Sequence, residues 1–242
     1  MRDYAKEFEA RVEFIREKLR EAHADGIVFG NSGGKDSALV GILCKAACDN
    51  TVGIIMPCAS KQNFGQDTYD AVALAAQFGI ESRTVDLTPV REAELAQLNA
   101  VCTPNSAAIT NIAPRLRMTT LYAIGAAENR LVAGTGNRSE IYMGYFTKWG
   151  DGGSDFNPIA DLTATEVFAF LEYLDAPRSI IDKAPSAGLF EGQTDEKEMG
   201  VSYAAIDRYI LEGVADDADQ AIIDRYHSRS EHKRRPIATM NG

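Results

Sequence analysis

Apolar residues fall at helical spacing from residue 4 to residue 24, with Tyr4, Phe8, Val12, Ile15 and Leu19 on one face. The period then shortens. Gly26-Ile27-Val28-Phe29-Gly30 is an apolar run bounded by glycines, and Thr51-Val52-Gly53-Ile54-Ile55-Met56 is a second, stopped by Pro57. Between them a glycine-rich turn leads into a helix from about Asp36 to Cys48. The next helix covers roughly 64–78, with Gly79 as its C-terminal stop. A third strand is expected over 82–87, then a helical stretch beyond Pro89 and a helix from near Pro114 to Glu128. A fourth strand, Arg130-Leu131-Val132-Ala133, ends in Gly134-Thr135-Gly136. Apolar strands alternating with helices predict an α/β fold, a parallel, Rossmann-like sheet with helices on both faces.

After Gly150 the pattern changes. Residues 163–174, 201–212 and 217–230 read as helices with no strand among them, and 184–200, small and acidic, reads as a mobile loop. The 242 residues therefore predict one domain, an α/β core over 1–160 with a helical C-terminal part over 161–242.

Asp and Glu outnumber Lys and Arg by 35 to 25, a formal net charge of −10, which disfavours a broad nucleic-acid surface. A small anion in one basic pocket remains compatible with it. No apolar run approaches the ~20 residues of a membrane span. The first segment is charged and amphipathic, unlike a signal peptide, so the expectation is a cytoplasmic protein. Cys44 and Cys48 lie four apart in an apolar helix without further ligands nearby, and read as small core residues rather than a metal pair.

The sharpest chemical feature is Gly30-Asn31-Ser32-Gly33-Gly34-Lys35-Asp36-Ser37, between the first strand and its helix. Gly30, Gly33 and Gly34 let backbone N–H groups close on an anion, the helix points its positive end at the same spot, and Ser32 and Ser37 add hydroxyls. It is not a Walker A loop: only three residues separate Gly30 from the Gly34-Lys35 pair, and Asp36 follows. A carboxylate inside a phosphate loop repels its ligand unless a divalent cation bridges them, so Asp36 implies Mg²⁺. The plainer reading is a structural turn in which Asp36 complements the helix dipole.

This loop resembles that of the ATP-pyrophosphatase superfamily. The resemblance implies that it holds the leaving pyrophosphate while a nucleophile attacks the α-phosphate of ATP. Lys35, and Met56 at the end of the second strand, are counted with the loop as ATP-binding. Three further segments resemble NAD synthetases. The first is Asn111-Ile112-Ala113-Pro114-Arg115-Leu116-Arg117-Met118. Its two arginines diverge by about 200° on a helix and cannot serve one site; the resemblance gives Arg115 to the dinucleotide and Arg117 a supporting role.

The second segment is Gly134-Thr135-Gly136-Asn137-Arg138-Ser139-Glu140 with Tyr145-Phe146-Thr147-Lys148-Trp149-Gly150-Asp151-Gly152-Gly153-Ser154-Asp155. It leaves a strand end, where such sheets bind ligands. Glu140 is a candidate to complete Mg²⁺ coordination with Asp36, Lys148 brings charge for phosphates, and Asp155 an acceptor for a ribose or for ammonia. The resemblance assigns Thr135 to ATP, Glu140 to Mg²⁺, and Lys148 and Asp155 to deamido-NAD; Asp36, Lys148 and Asp155 are the expected catalytic groups. The third segment is the basic tail, where the resemblance makes His232 and Lys233 substrate binders. Ser186 stands where the family has an ATP-contacting Thr. Ala164 stands where it has a phosphate-contacting Lys, a charge that Lys35 is a candidate to replace.

The resemblance implies adenylation of the nicotinate carboxylate of deamido-NAD, then attack by ammonia to give NAD and AMP. Only about twenty-five residues precede the first strand, too few for an amidase domain, so free ammonia or a separate glutaminase is expected, and family members are homodimers. Rival readings are a tRNA-modifying enzyme or the synthetase part of GMP synthetase, both in the same superfamily, and a nucleotide-binding module without chemistry. The acidic balance argues against the RNA enzymes, and the Asp36–Glu140 pair against a passive module. Residues 186–200 are expected to close as a lid that keeps the acyl-adenylate from water.

Overall fold

The computed structural model describes residues 2–60, 63–183 and 194–240. Four strands, β1 (Gly26–Gly30), β2 (Thr51–Ile55), β3 (Glu81–Thr84) and β4 (Arg130–Ala133), form one parallel sheet in the order β3-β2-β1-β4. The helices of the α/β part are α1 (Tyr4–Ala22), α2 (Lys35–Ala47), α3 (Thr68–Phe78), α4 (Thr88–Asn99), α5 (Ser106–Thr110), α6 (Ile112–Glu128) and α7 (Arg138–Met143). The C-terminal part adds α8 (Ala164–Tyr173), α9 (Arg178–Ile181), α10 (Asp195–Met199), α11 (Tyr203–Glu212), α12 (Asp217–Arg229) and α13 (Glu231–Arg234). From β1 the chain winds outward through β2 to β3, then returns to lay β4 on the other side of β1. The order reverses between β1 and β4, which opens a crevice at their carboxyl ends.

Alternation along β1 sends Ile27 and Phe29 to one face and Val28 to the other. The first face packs on α2, α1 and α8 through Ile15, Leu39, Leu43, Phe170 and Leu171. The second packs on α6 through Leu121. Burying a side chain such as Phe29 or Leu43 contributes about 2–3 kcal/mol. A third cluster, with Met143, Met199, Tyr203, Ile206 and Ile223, joins α7 to α10, α11 and α12. Cys44 lies in the first core, where burial pushes its thiol up.

The structure corrects two expectations. The third strand is neither 82–87 nor apolar: β3 is Glu81-Ser82-Arg83-Thr84, a largely exposed edge held by its ladder to β2. Lys, Glu or Arg side chains on an edge strand also blunt pairing with other chains. Of the segment read as a loop over 184–200, residues 195–199 form α10, with three acids in the first turn, Gly200 in the left-handed conformation after it, and Met199 buried. Ser186 and residues 186–193 of the expected lid lie outside the described residues.

Helix α1 is tied to the loop before α8 by charge. Arg11 reaches both carboxylate oxygens of Asp161, at 2.6 and 2.8 Å, and Glu7 at 2.7 Å, while Arg2 pairs with Glu166 at 2.8 Å. Burial would raise the pKa values of Asp161 and Glu166, but the hydrogen bonds from Arg11 and Arg2 outweigh it and hold both below the usual carboxylate range. A depressed folded-state pKa stabilises above the unfolded value, and that stability is lost as pH falls through the folded one. Melting temperature should therefore fall as pH drops below about 4. Arg11→Met should flatten this acid limb and lower the melting temperature at pH 7 by roughly 2–4 °C, about 1 kcal/mol after allowing for the solvent around Asp161. An acid limb of unchanged slope in the variant would rule the clamp out.

Candidate functional site

The crevice at the carboxyl ends of β1 and β4 widens into a cavity of about 930 Å³, the scale of sites for large ligands. Gly30, Ser32, Gly34, Lys35, Asp36, Ser37, Met56, Thr135, Glu140 and Lys233 all line it. Ten of the residues singled out in the sequence thus meet at one place, although they span the chain.

The phosphate loop is built by its own polar atoms. The Ser32 and Ser37 hydroxyls lie 3.0 Å apart, Gly34 N–H donates to Ser32 Oγ at 3.3 Å, and Ser37 Oγ donates to the Gly34 carbonyl at 3.0 Å. Gly33 turns the loop at φ +71°, and a Cβ there would stand 2.2 Å from the Asp67 carbonyl oxygen. Only glycine fits that turn. The free N–H groups at the start of α2 then face the cavity, a ready anion site. Lys183, which the sequence reading missed, adds a cation beside the loop. Its Nζ donates to Asp67 at 2.6 Å, to Asp70 at 3.0 Å and to the Gly33 carbonyl at 3.4 Å, and it lines the cavity.

Asp36 and Glu140 come from α2 and α7, and Asn137 holds them together. Its buried amide donates to Asp36 Oδ1 at 3.0 Å, while its carbonyl oxygen accepts the Glu140 N–H at 3.0 Å. Glu140 Oε2 in turn accepts the Asn137 N–H at 3.2 Å, a capping box that fixes the carboxylate on the first turn of α7. Burial, then the charge of Asp36, raise the Glu140 carboxyl well above the usual range, partly offset by Lys35. Lys35 Nζ sits 2.5 Å from Asp36 Oδ2 and 3.7 Å from Glu140 Oε1. Burial lowers its pKa, but the two carboxylates outweigh that and raise it.

The other predicted residues divide between the cavity wall and its surroundings. The two arginines of α6 diverge as the helical period requires, and Arg117 is the one that reaches the cavity. It donates to the Met56 carbonyl and to Asn63 Oδ1, each at 3.1 Å, and burial lowers its pKa. Arg115 is exposed, 3.4 Å from the Lys148 carbonyl; Lys148 Nζ donates to the His232 carbonyl at 2.5 Å. These three form a cluster that is not part of the cavity lining. Asp155 is exposed and braces β4: Oδ2 accepts the Val132 N–H at 2.7 Å, and Oδ1 accepts from the Tyr122 hydroxyl at 3.1 Å. Burial, then Asp155, push that phenol up to about 12. Lys233 donates to the Gly144 and Phe146 carbonyls at 2.8 and 2.6 Å, folding the tail onto the end of α7. Gly144 (φ +64°) permits this approach, since a Cβ there would lie 2.0 Å from that of Ser230. At Ala164 the side chain is buried and its N–H donates to Ser139 Oγ at 3.0 Å.

The chain as a whole has close counterparts among known proteins. The family model for NAD synthase matches residues 7–237. An NH(3)-dependent NAD(+) synthetase of Carboxydothermus hydrogenoformans is 48% identical over 94% of this chain and 93% of its own. Among solved structures, NMN synthetase from Francisella tularensis superposes with a TM-score of 0.95 at 38% identity, covering 100% of both chains. NH3-dependent NAD synthetase from Campylobacter jejuni, in complex with the nitrate ion, gives a TM-score of 0.80 at 30% identity over 99% of this chain and 100% of its own. With a family model over residues 7–237 and relatives of this identity and coverage, the chain belongs to the NAD synthase family.

Proposed function

We propose that the chain makes NAD from deamido-NAD, ATP and ammonia, with AMP and pyrophosphate as the other products. The observation that carries this reading is the phosphate loop opening onto one cavity with Asp36, Glu140, Thr135, Arg117 and Lys233, in a chain whose relatives carry the NH(3)-dependent synthetase name. An oxygen of the nicotinate carboxylate attacks the α-phosphorus, and the bond to the bridging oxygen breaks, so pyrophosphate leaves with that electron pair. Ammonia then attacks the acyl carbon, AMP leaves with the oxygen that joined them, and the nitrogen releases a proton. The protein's part is to align the reactants and to hold negative charge on loop N–H groups and cations, so no covalent nucleophile is needed.

Mg²⁺ fits the residues present. Asp36 and Glu140 form a pair short of positive charge, and among the described residues no three His, Cys, Asp or Glu side chains gather as a closed metal cage. Two carboxylates completed by phosphate oxygens and water is the usual arrangement for this ion. When bound, it supplies positive charge to the polyphosphate.

Arg115, Lys148, Asp155 and His232 stand outside the cavity wall. That placement suits a homodimer in which a second copy completes the dinucleotide site, as the family resemblance implies. Among the described residues no helix is long and apolar enough to cross a membrane. We place the enzyme in the cytoplasm, supplied with free ammonia or by a separate glutaminase.

The test is an assay with deamido-NAD, ATP, Mg²⁺ and ammonium, its products separated by chromatography. Each NAD should appear with one AMP and one pyrophosphate; ADP and orthophosphate would overturn the mechanism. A second reading, amidation of nicotinate mononucleotide, is favoured by the higher TM-score to the Francisella tularensis NMN synthetase. The same assay separates the two, since the preferred substrate has the larger kcat/KM.

A further inference from the structure

Lys35 occupies an unusual place for a cation. It is the first residue of α2, where the helix dipole favours an acid, and it is only 7% exposed. A lysine there would ordinarily extend its ammonium to water. Instead the side chain turns inward between the ring of Phe168, 5.8 Å from Nζ, and that of Tyr203 at 5.4 Å. The ammonium ends against Asp36 at 2.5 Å and Glu140 at 3.7 Å. These are the carboxylates that Asn137 clamps and that suit a divalent ion, so lysine and ion compete for the same oxygens.

We propose that the Lys35 ammonium is the resident counter-charge of the Asp36–Glu140 pair, and that a divalent cation gains these ligands only by displacing it. Two consequences follow from charge alone. The ammonium offsets one of the pair's two negative charges without metal, which eases the burial of two carboxylates side by side and still leaves the pair short of positive charge. A metal ion alone binds weakly, because each contact it gains costs one to Lys35. A metal ion arriving with a nucleotide is different: the displaced ammonium, on its flexible four-carbon stem, has the polyphosphate in the adjoining loop as a new partner. Lys35 thereby couples metal entry to nucleotide entry.

The inference rests on the reading of Asp36 and Glu140 as metal carboxylates, and the experiment separates the two. Lys35→Met keeps the stem length and the contact with Phe168 and Tyr203 but removes the charge. Mn²⁺ binding without nucleotide is followed by electron paramagnetic resonance in wild type and variant, with thermal melts in EDTA and in Mg²⁺. The variant should bind Mn²⁺ at least about tenfold more tightly than wild type. It should also melt roughly 5 °C or more lower in EDTA and regain most of that in Mg²⁺. Equal Mn²⁺ affinity in both proteins, with no metal-dependent recovery, overturns the role of Lys35 and leaves the metal reading standing. If neither protein binds Mn²⁺, even with ATP, both ideas fall. Should Lys35→Met not fold in either buffer, the double variant Lys35→Met/Glu140→Gln decides: a folded double variant supports the counter-charge, and an unfolded one overturns it.

Discussion

Asp36→Asn and Glu140→Gln should each lower turnover at least about a hundredfold, the scale of losing one strong electrostatic stabiliser, while leaving the protein folded. Both replacements keep the shape and one acceptor oxygen, so the Asn137 amide still finds a partner at position 36 and its N–H one at position 140. What each removes is a negative charge facing the phosphate loop. Glu140→Gln should hold its melting temperature or raise it, because a neutral amide replaces a carboxylate whose burial opposes ionisation. Steady-state kinetics with saturating ATP, beside thermal melts, give both readouts. Near wild-type turnover for both well-folded variants would remove the two carboxylates from the chemistry.

Gly33→Ala should be as damaging by a different route. The turn at Gly33 is left-handed, and the added Cβ would lie 2.2 Å from a backbone oxygen rather than from a side chain able to rotate away. Conformational strain and overpacking together cost roughly 2–4 kcal/mol, or about 5–15 °C in melting temperature. The relief open to the chain is to push the loop away from α3, which misaims the N–H groups at the start of α2 and loosens the Lys183–Asp67 pair. ATP binding measured calorimetrically should therefore weaken by more than tenfold. A Gly33→Ala protein with wild-type melting temperature and ATP affinity would show that the turn has room the geometry denies it.

The phosphate loop was legible because anion binding by backbone N–H groups is local: the glycines, hydroxyls and following helix are consecutive in sequence. The β1, β2 and β4 strands were legible as apolar runs. β3 was not, since a polar edge strand is defined by its ladder to β2 and carries no apolar pattern of its own. The period of α6 separated Arg115 from Arg117, but which of them faces the cavity depends on how α6 packs against the sheet. Asn137 could have been found, because Asn-Arg-Ser-Glu over 137–140 spells a capping box. Helix α10 could too, from its acids followed by Gly200. Lys183 could not: its partners Asp67 and Asp70 lie more than a hundred residues away, and nothing local pairs them.

The tail that Lys233 folds onto the end of α7 has a consequence for how the protein is made. The ladders of the sheet end at β4, but the face that carries Ile27 and Phe29 waits for Phe170 and Leu171, so the sheet and the phosphate loop of a nascent chain can settle once α8 is made. The cavity cannot close at that stage. Its wall includes Lys233, about two hundred residues after Gly30, so the site is complete only after α13 has been made. A growing chain thus passes through a period when it presents the phosphate loop to the cell's ATP without a chamber able to use it.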